Sequence, residues 1–509
     1  MFSMKNNIRI NVIVNIIRTI VLTFLSFITF PWVCRYLGDS SLGLYTWVNT
    51  FIAYFLILAK IGIPNLAVRE CVKVRDDKEK LSNKVQTFFI LQLISTVLSF
   101  GFMTTLVFSI PALRDSQALV FILAINFLAG AFSFEWVFIA LEKQFYMSVR
   151  SIVALTIAAV LIIAFIRTPD DYLIYALLTI SVTVITTVAN VYYVRRFVSF
   201  KKTMPYSFKE YAKPLMILCF LTLLLSFYNQ TDTFILGFLD PTKKEVASYS
   251  VGMKGIDVII GIITALSTVF IPRSAFYYQK EDKRFFNNLN KYSLNIAMFV
   301  IFPAIATMSI FAYPICSLIS GTFDYENVLN GYLNAPIVLM TLSSVMLTYS
   351  FGNIIYGQIL LPMKKEKYYL IAMGVGTIIN GVLSVVLGKF IFPDSPSIGV
   401  AIGTSLTDLA IIVFLIAVSW KWVKKALFNR NSVKLLIATL AVIAVSIGLK
   451  YLVEYLCGQN DVSVQNMFII ELGGIVLVDA VIYIILLRLM KEDLVYSFVR
   501  NRKGAILEE

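Results

Sequence analysis

Six ionisable side chains fall inside runs of apolar residues long enough to cross a bilayer. Arg18, Lys60 and Glu135 each lie eight or nine residues from the end of their run nearest a group of Lys and Arg. At 1.5 Å of rise per residue that is a depth of roughly 13 Å. Asp232, Lys254 and Asp257 form a second layer toward the opposite ends of their runs, and Asp257 follows Lys254 by three residues on one helix face. Each such charge costs at least about 2.5–3.5 kcal/mol at mid-membrane, so it must face protein or water. Three chemistries suit the set. Arg18, Lys60 and Lys254 can neutralise an anionic head group such as a pyrophosphate, through a guanidinium fork and ammonium point charges. Glu135, Asp232 or Asp257 can instead bind a coupling proton or Na⁺. Or Asp232–Lys254 and Arg18–Glu135 are ion pairs that hold helices in register. Later runs are nearly bare: Asp408, Glu471 and Asp479 are the exceptions, the last two expected at packed or interfacial positions.

Other chemistry is excluded or unsupported. The chain has no histidine, so His-based triads and zinc sites are ruled out. Cys34, Cys71, Cys219, Cys316 and Cys457 are scattered and read as small apolar residues, not as a disulfide or metal framework. No GxxxxGK[ST] loop occurs. No cofactor is expected beyond a coupling ion, H⁺ or Na⁺, or the membrane potential.

The elements that must position these charges follow from composition. The 509 residues are 59% hydrophobic and 15% charged, with mean hydropathy +0.81. A water-soluble fold could not hide so much apolar surface. About 20 apolar residues cross roughly 30 Å of hydrocarbon. Basic clusters and Pro, Gly or Asp breaks mark about fourteen spans, near 10–36, 42–63, 85–110, 117–140, 151–167, 172–194, 214–239, 246–271, 292–319, 335–361, 369–392, 398–420, 434–456 and 466–488. Backbone satisfaction in lipid makes them helices, giving an all-α integral membrane protein. Met1–Lys5 runs into the first apolar span without an A-x-A site, which predicts a retained helix and not a signal peptide. Gly374, Gly376 and Gly381 are expected to break span 11, and Pro31, Pro64, Pro272, Pro303, Pro314, Pro336 and Pro362 fall in or at the ends of spans.

Loop charge sets the orientation. Lys and Arg crowd the loops after even-numbered spans, as in Arg69–Lys84 and Arg195–Lys213, and are sparse after odd-numbered ones. Both termini are therefore expected in the cytoplasm. The net charge of +14 expresses this bias and attraction to anionic membrane lipids, and no nucleic-acid partner is expected. The tail after Arg488 can lie at the interface as an amphipathic segment. Leu37-Gly38…Tyr45 and Leu236-Gly237…Tyr249 echo one another six spans apart, the mark of a parallel repeat.

The order of several short motifs resembles the bacterial polysaccharide-unit flippases. They are Arg35-Tyr36-Leu37-Gly38-Asp39…Gly43-Leu44-Tyr45, Gly62-Ile63-Pro64…Arg69-Glu70, Phe134-Glu135-Trp136-Val137…Leu141-Glu142…Arg150 and Tyr228…Asp232…Gly237…Tyr249…Lys254. Pro272-Arg273, Gln358-Ile359-Leu360-Leu361-Pro362 and Gly399-Val400-Ala401-Ile402-Gly403-Thr404 follow, so the likeness covers nearly the whole chain. It implies membership of the multidrug/oligosaccharidyl-lipid/polysaccharide exporter superfamily, in its polysaccharide branch. It further implies two six-helix lobes related by a pseudo-two-fold axis, at 1–200 and 201–425, then two extra helices at 426–490 and a tail at 491–509.

On that resemblance the function is expected to be translocation, in a bacterial cytoplasmic (inner) membrane, of undecaprenyl-pyrophosphate-linked oligosaccharide repeat units for capsule, exopolysaccharide or O-antigen assembly. Arg18, Lys60 and Lys254 would hold the pyrophosphate, and Tyr228 and Asn229 would lie near the sugar. Glu135, Asp232, Asp257 and Asp408 are the ion-coupling candidates. The expected partners are the lipid-linked oligosaccharide, membrane lipids, and a polysaccharide polymerase with glycosyltransferases. The alternative is an ion-coupled drug antiporter of the same superfamily. An enzyme acting on the sugar would want large outer loops with clustered carboxylates or Arg, and the longest here, near 320–334 and 457–465, are short.

Overall fold

The computed structural model describes residues 2–202, 204–321, 331–460 and 462–499, and among these every regular element is helical. Thirteen helical stretches are long and apolar enough to cross a membrane. The first, Arg18–Val72, runs for 55 residues, about 80 Å of helical rise against roughly 30 Å of hydrocarbon. It is two crossings: the helix Phe2–Lys60 is kinked at Gly38, whose φ of 71° and ψ of 178° are not helical. Only a residue without Cβ enters that region readily. Among the described residues the spans thus number fourteen, the count expected. Residues 322–330, within the predicted loop near 320–334, lie outside the described residues, as do 500–509 of the tail.

Two compact units emerge, Met1–Phe234 and Ile235–Glu509. The first turns of helix Phe208–Leu239 pack into the first unit: Tyr211 and Leu215 join Phe88, Trp136, Val137 and Leu66 in one buried cluster. The segment before this helix is strapped to the start of span 3. Gln86 Nε2 donates to the Ser199 and Lys201 carbonyls at 2.6 and 3.1 Å, and Asn83 Nδ2 to the Met204 carbonyl at 3.1 Å.

The first unit contains two broken spans, and side chains from neighbouring helices donate to carbonyls at the breaks. Span 2 breaks at Ile61 and Gly62, both left-handed, with φ of 43° and 68°. The Ala59 carbonyl there accepts from Ser95 Oγ at 2.5 Å. Span 4 breaks between Ala131 and Glu135, with Phe134 at φ 45°. Gln92 Nε2 donates to the Gly130 carbonyl at 2.8 Å, and Asn190 Nδ2 donates to the Ser133 carbonyl. Backbone polar groups in lipid must be paired, and these polar side chains are what allows the breaks.

In the second unit the glycines of span 11 do not break it. Helix Lys367–Val386 runs through Gly374, Gly376 and Gly381 without interruption. Gly376 serves close packing instead: a Cβ there would lie 2.5 Å from Ile411 Cδ1 of helix Pro396–Leu427. Pro272 and Pro303 likewise sit inside continuous helices. The departures from α geometry are π segments at Ile355–Leu360, Leu387–Ile391 and Ile470–Ile475. Glu245 ties three segments at the start of helix Lys244–Gln279. Its carboxylate accepts from Asn334 Nδ2 at 2.9 and 3.1 Å and from the Ser397 N–H and Oγ at 3.1 and 2.5 Å. The predicted interfacial tail contains helix Asp493–Val499, whose first amides, Leu494 and Val495, donate to Glu492 at 2.9 and 3.0 Å.

Candidate functional site

Of the three predicted cations, Arg18 and Lys60 belong to the first unit and Lys254 to the second. Arg18 is half-buried, and its Nε has no hydrogen-bond partner among the described residues. Lys60 is exposed although it lies within the apolar run, because the chain breaks directly after it. The break is fixed by packing: a Cβ on Gly62 would lie 2.5 Å from Leu218 Cβ. Ile61 in the left-handed region is a β-branched residue held in strain, of the kind that persists only where its surroundings over-determine it. Neither cation makes an ion pair among the described residues. Lys254 is half-buried on helix Lys244–Gln279, and Asp257, one turn on, is exposed.

The carboxylates divide into different kinds. Glu135 does not pair with Arg18. It is half-exposed and pairs at 2.6 Å with Nη2 of Arg150, which is buried. The sequence offered Arg18 as a partner at the same depth, but the residue that reaches Glu135 is fifteen positions further along the chain, across the turn into span 5. Arg150 also donates through Nη1 to Asn190 Oδ1, which accepts from Tyr146 OH at 3.2 Å as well. Asn190 then donates to the Ser133 carbonyl at the break. Glu135 is therefore committed to a clamp across spans 4, 5 and 6. Asp232 is 6% exposed, in the first unit. Asp408 is 1% exposed, and both its carboxylate oxygens lack a partner among the described residues. Its backbone carbonyl accepts from Thr348 Oγ1 at 2.9 Å. Tyr228 is buried, its hydroxyl without a partner among the described residues, and Asn229 beside it is exposed. Glu471 and Asp479 are both buried, and Asp479 Oδ2 accepts from Ser446 Oγ at 2.6 Å.

Two groups were missed by sequence reasoning: the Asn190 hub and the Glu245 knot. A mid-span Asn was the available signal for the first. Glu245, at a helix start, looks like an ordinary first-turn carboxylate. At the loop before span 3, Asp77 caps helix Lys78–Ser109 by accepting from the Glu79 and Lys80 amides, each at 3.1 Å. The Lys80 amide bond foremost, then its ammonium, hold the Asp77 carboxyl below its ordinary value.

The family model for polysaccharide biosynthesis protein matches residues 8–277, just over half the chain. The chain belongs to that family. The match contains Arg18, Lys60, Glu135, Asp232, Lys254 and Asp257; Asp408 lies beyond it. It is similar in sequence to the "Putative O-antigen transporter" of Escherichia coli (strain K12), 21% identical over 29% of this chain and 35% of that protein. It is also similar to the lipid II flippase MurJ of Bacillus subtilis (strain 168), 23% identical over 55% of this chain and 51% of that one. The aligned stretches thus span about a third and a half of those two relatives. A MurJ structure in an inward closed conformation shares the fold at TM-score 0.68 and 16% identity, over 94% of this chain and 99% of that one. An inward-facing MATE-family multidrug resistance transporter of the MOP superfamily matches at TM-score 0.60 and 16% identity, over 81% of this chain and 99% of its own. The all-α membrane fold expected from the sequence is the one observed, and it is shared with these two structures.

Proposed function

We propose that this protein is a flippase that moves undecaprenyl-pyrophosphate-linked oligosaccharide repeat units across a bacterial cytoplasmic membrane for surface polysaccharide assembly. The observation that carries the reading is the family match over residues 8–277, which contains the intramembrane cations Arg18, Lys60 and Lys254. Cations at membrane depth are expensive and call for an anion. In this reading Arg18, Lys60 and Lys254 engage the pyrophosphate, where guanidinium and ammonium groups both suit phosphate oxygens. Tyr228 and Asn229 lie toward the sugar. Both termini face the cytoplasm, the side on which basic loops accumulate; glycosyltransferases build the unit before transfer and a polymerase acts after it. Rocking of two lobes, driven by the membrane potential or by H⁺ or Na⁺ at Asp232, Asp257 or Asp408, supplies alternating access. Glu135 is the weakest coupling candidate, since its Arg150 partner leaves it little to gain from a cation.

The test is polymer export in cells carrying Arg18→Ala and Lys60→Ala together. Export should collapse while protein abundance stays at the wild-type level; normal export at normal abundance sinks the pyrophosphate assignment. A second reading, an ion-coupled drug antiporter, draws on the MATE fold likeness and the bare carboxyl of Asp408. It requires efflux of cationic dyes, which the flippase reading does not.

A further inference from the structure

A groove of about 450 Å³ runs between helix Gln117–Ala131 of span 4 and helix Tyr172–Val194 of span 6. Its floor is made of small residues. Ala129 and Thr187 are 6% and 8% exposed, and Thr187 Oγ1 donates to the Ala129 carbonyl at 3.1 Å, so the floor asks nothing polar of an occupant. Its rims are apolar and open, with Leu128 65%, Val188 64% and Tyr192 70% exposed. One end carries a charge: Arg195, the exposed residue that caps the helix, three positions past Tyr192. From Val184 to Arg195 the rise is roughly 16 Å, about half of a 30 Å hydrocarbon core. The groove therefore spans one leaflet and ends among the basic loops.

We propose that this groove is a binding site for an anionic glycerophospholipid of that leaflet. One acyl chain lies along the apolar trough, and the phosphate meets the Arg195 guanidinium. The volume falls within the range of built ligand sites. The match of charge is specific in position, because the one cation of the lining stands at the head-group end and the rest of the lining is nearly devoid of polar atoms. Arg196, next in sequence, is not part of the lining; its guanidinium lies over the Tyr193 ring at 5.5 Å. None of the candidate transport residues lines the groove.

The experiment uses the purified, delipidated full chain and equimolar phosphatidylglycerol and phosphatidylethanolamine, with bound lipid read by native mass spectrometry. Wild type should retain phosphatidylglycerol preferentially. Arg195→Gln should lower that preference about five-fold, the weight of one basic residue at a membrane surface. Arg196→Gln should leave it within two-fold, and Val188→Trp, which fills the trough, should lower retention of both lipids. All three positions are away from the buried core, and the Arg195 and Arg196 pair decides the matter even if the Trp variant folds poorly. Equal loss in the two Arg variants, no discrimination by wild type, or displacement of phosphatidylglycerol by equimolar undecaprenyl phosphate would each overturn the assignment.

Discussion

Arg150 should be worth more to folding than the carboxylate it faces. Replacing Arg150 by Met keeps most of the side chain's bulk but removes the guanidinium from a site 9% exposed. The Glu135 pair at 2.6 Å is lost, yet that carboxylate is 50% exposed and rehydrates, so its share is about 0–1 kcal/mol. Asn190, 1% exposed, loses a charge-assisted donor, worth about 1.5–3 kcal/mol. Tyr146 OH still reaches Asn190 at 3.2 Å and keeps the cost toward the lower end. The sum is about 2–3 kcal/mol, a rise of roughly 30–150-fold in the unfolded-to-folded ratio. Glu135→Gln should cost under about 1 kcal/mol by the same reasoning. The assay is SDS-driven unfolding of purified protein in mixed micelles, run as a double-mutant cycle with Asn190→Leu. Arg150 and Asn190 should couple by about 1 kcal/mol or more. A Glu135→Gln variant as damaged as Arg150→Met, or an Arg150→Met variant within about 0.5 kcal/mol of wild type, would refute the apportioning.

Gly62→Ala should destabilise by about 2–5 kcal/mol in the same titration, since it adds left-handed strain at φ 68° to a Cβ 2.5 Å from Leu218 Cβ; a near-neutral result would show that span 7 yields. Asp408→Asn should leave stability unchanged or raised, because a carboxylate with no donors gains nothing from its charge. The same variant should impair export if Asp408 carries the coupling ion, and full export with an unaltered dependence on the ion gradient would remove it from the mechanism. Protection of the Glu79 and Lys80 amides, followed by hydrogen exchange, should depend on pH through Asp77. The folded value lies below the ordinary one, so the cap is fully present above the ordinary carboxylate pKa of about 4 and is lost as pH falls through the lower, folded value. Asp77→Ala should abolish that dependence, and an unchanged profile would place the pH response elsewhere.

What sequence determined was whatever solvent sets residue by residue. Twenty apolar residues must span lipid as a helix, and loop charge must follow the bilayer's asymmetry, so the span count and the family were legible before any contact was known. Sequence also flagged ionisable residues at membrane depth, because their cost does not depend on their neighbours. It could not say which neighbours meet them. Glu135 and Arg18 shared a depth, yet Arg150 took the carboxylate, because azimuth around a helix and the break at Phe134 are set by packing. The glycines of span 11 read as breaks and proved to be contact points, since whether a missing Cβ admits a bend or a neighbour depends on what lies within 3 Å. At the true breaks, in spans 2 and 4, Ser95, Gln92 and Asn190 from other helices donate to backbone carbonyls. Backbone groups that lose a helical partner in hydrocarbon must find one in the protein, so where a span can bend depends on its tertiary partners.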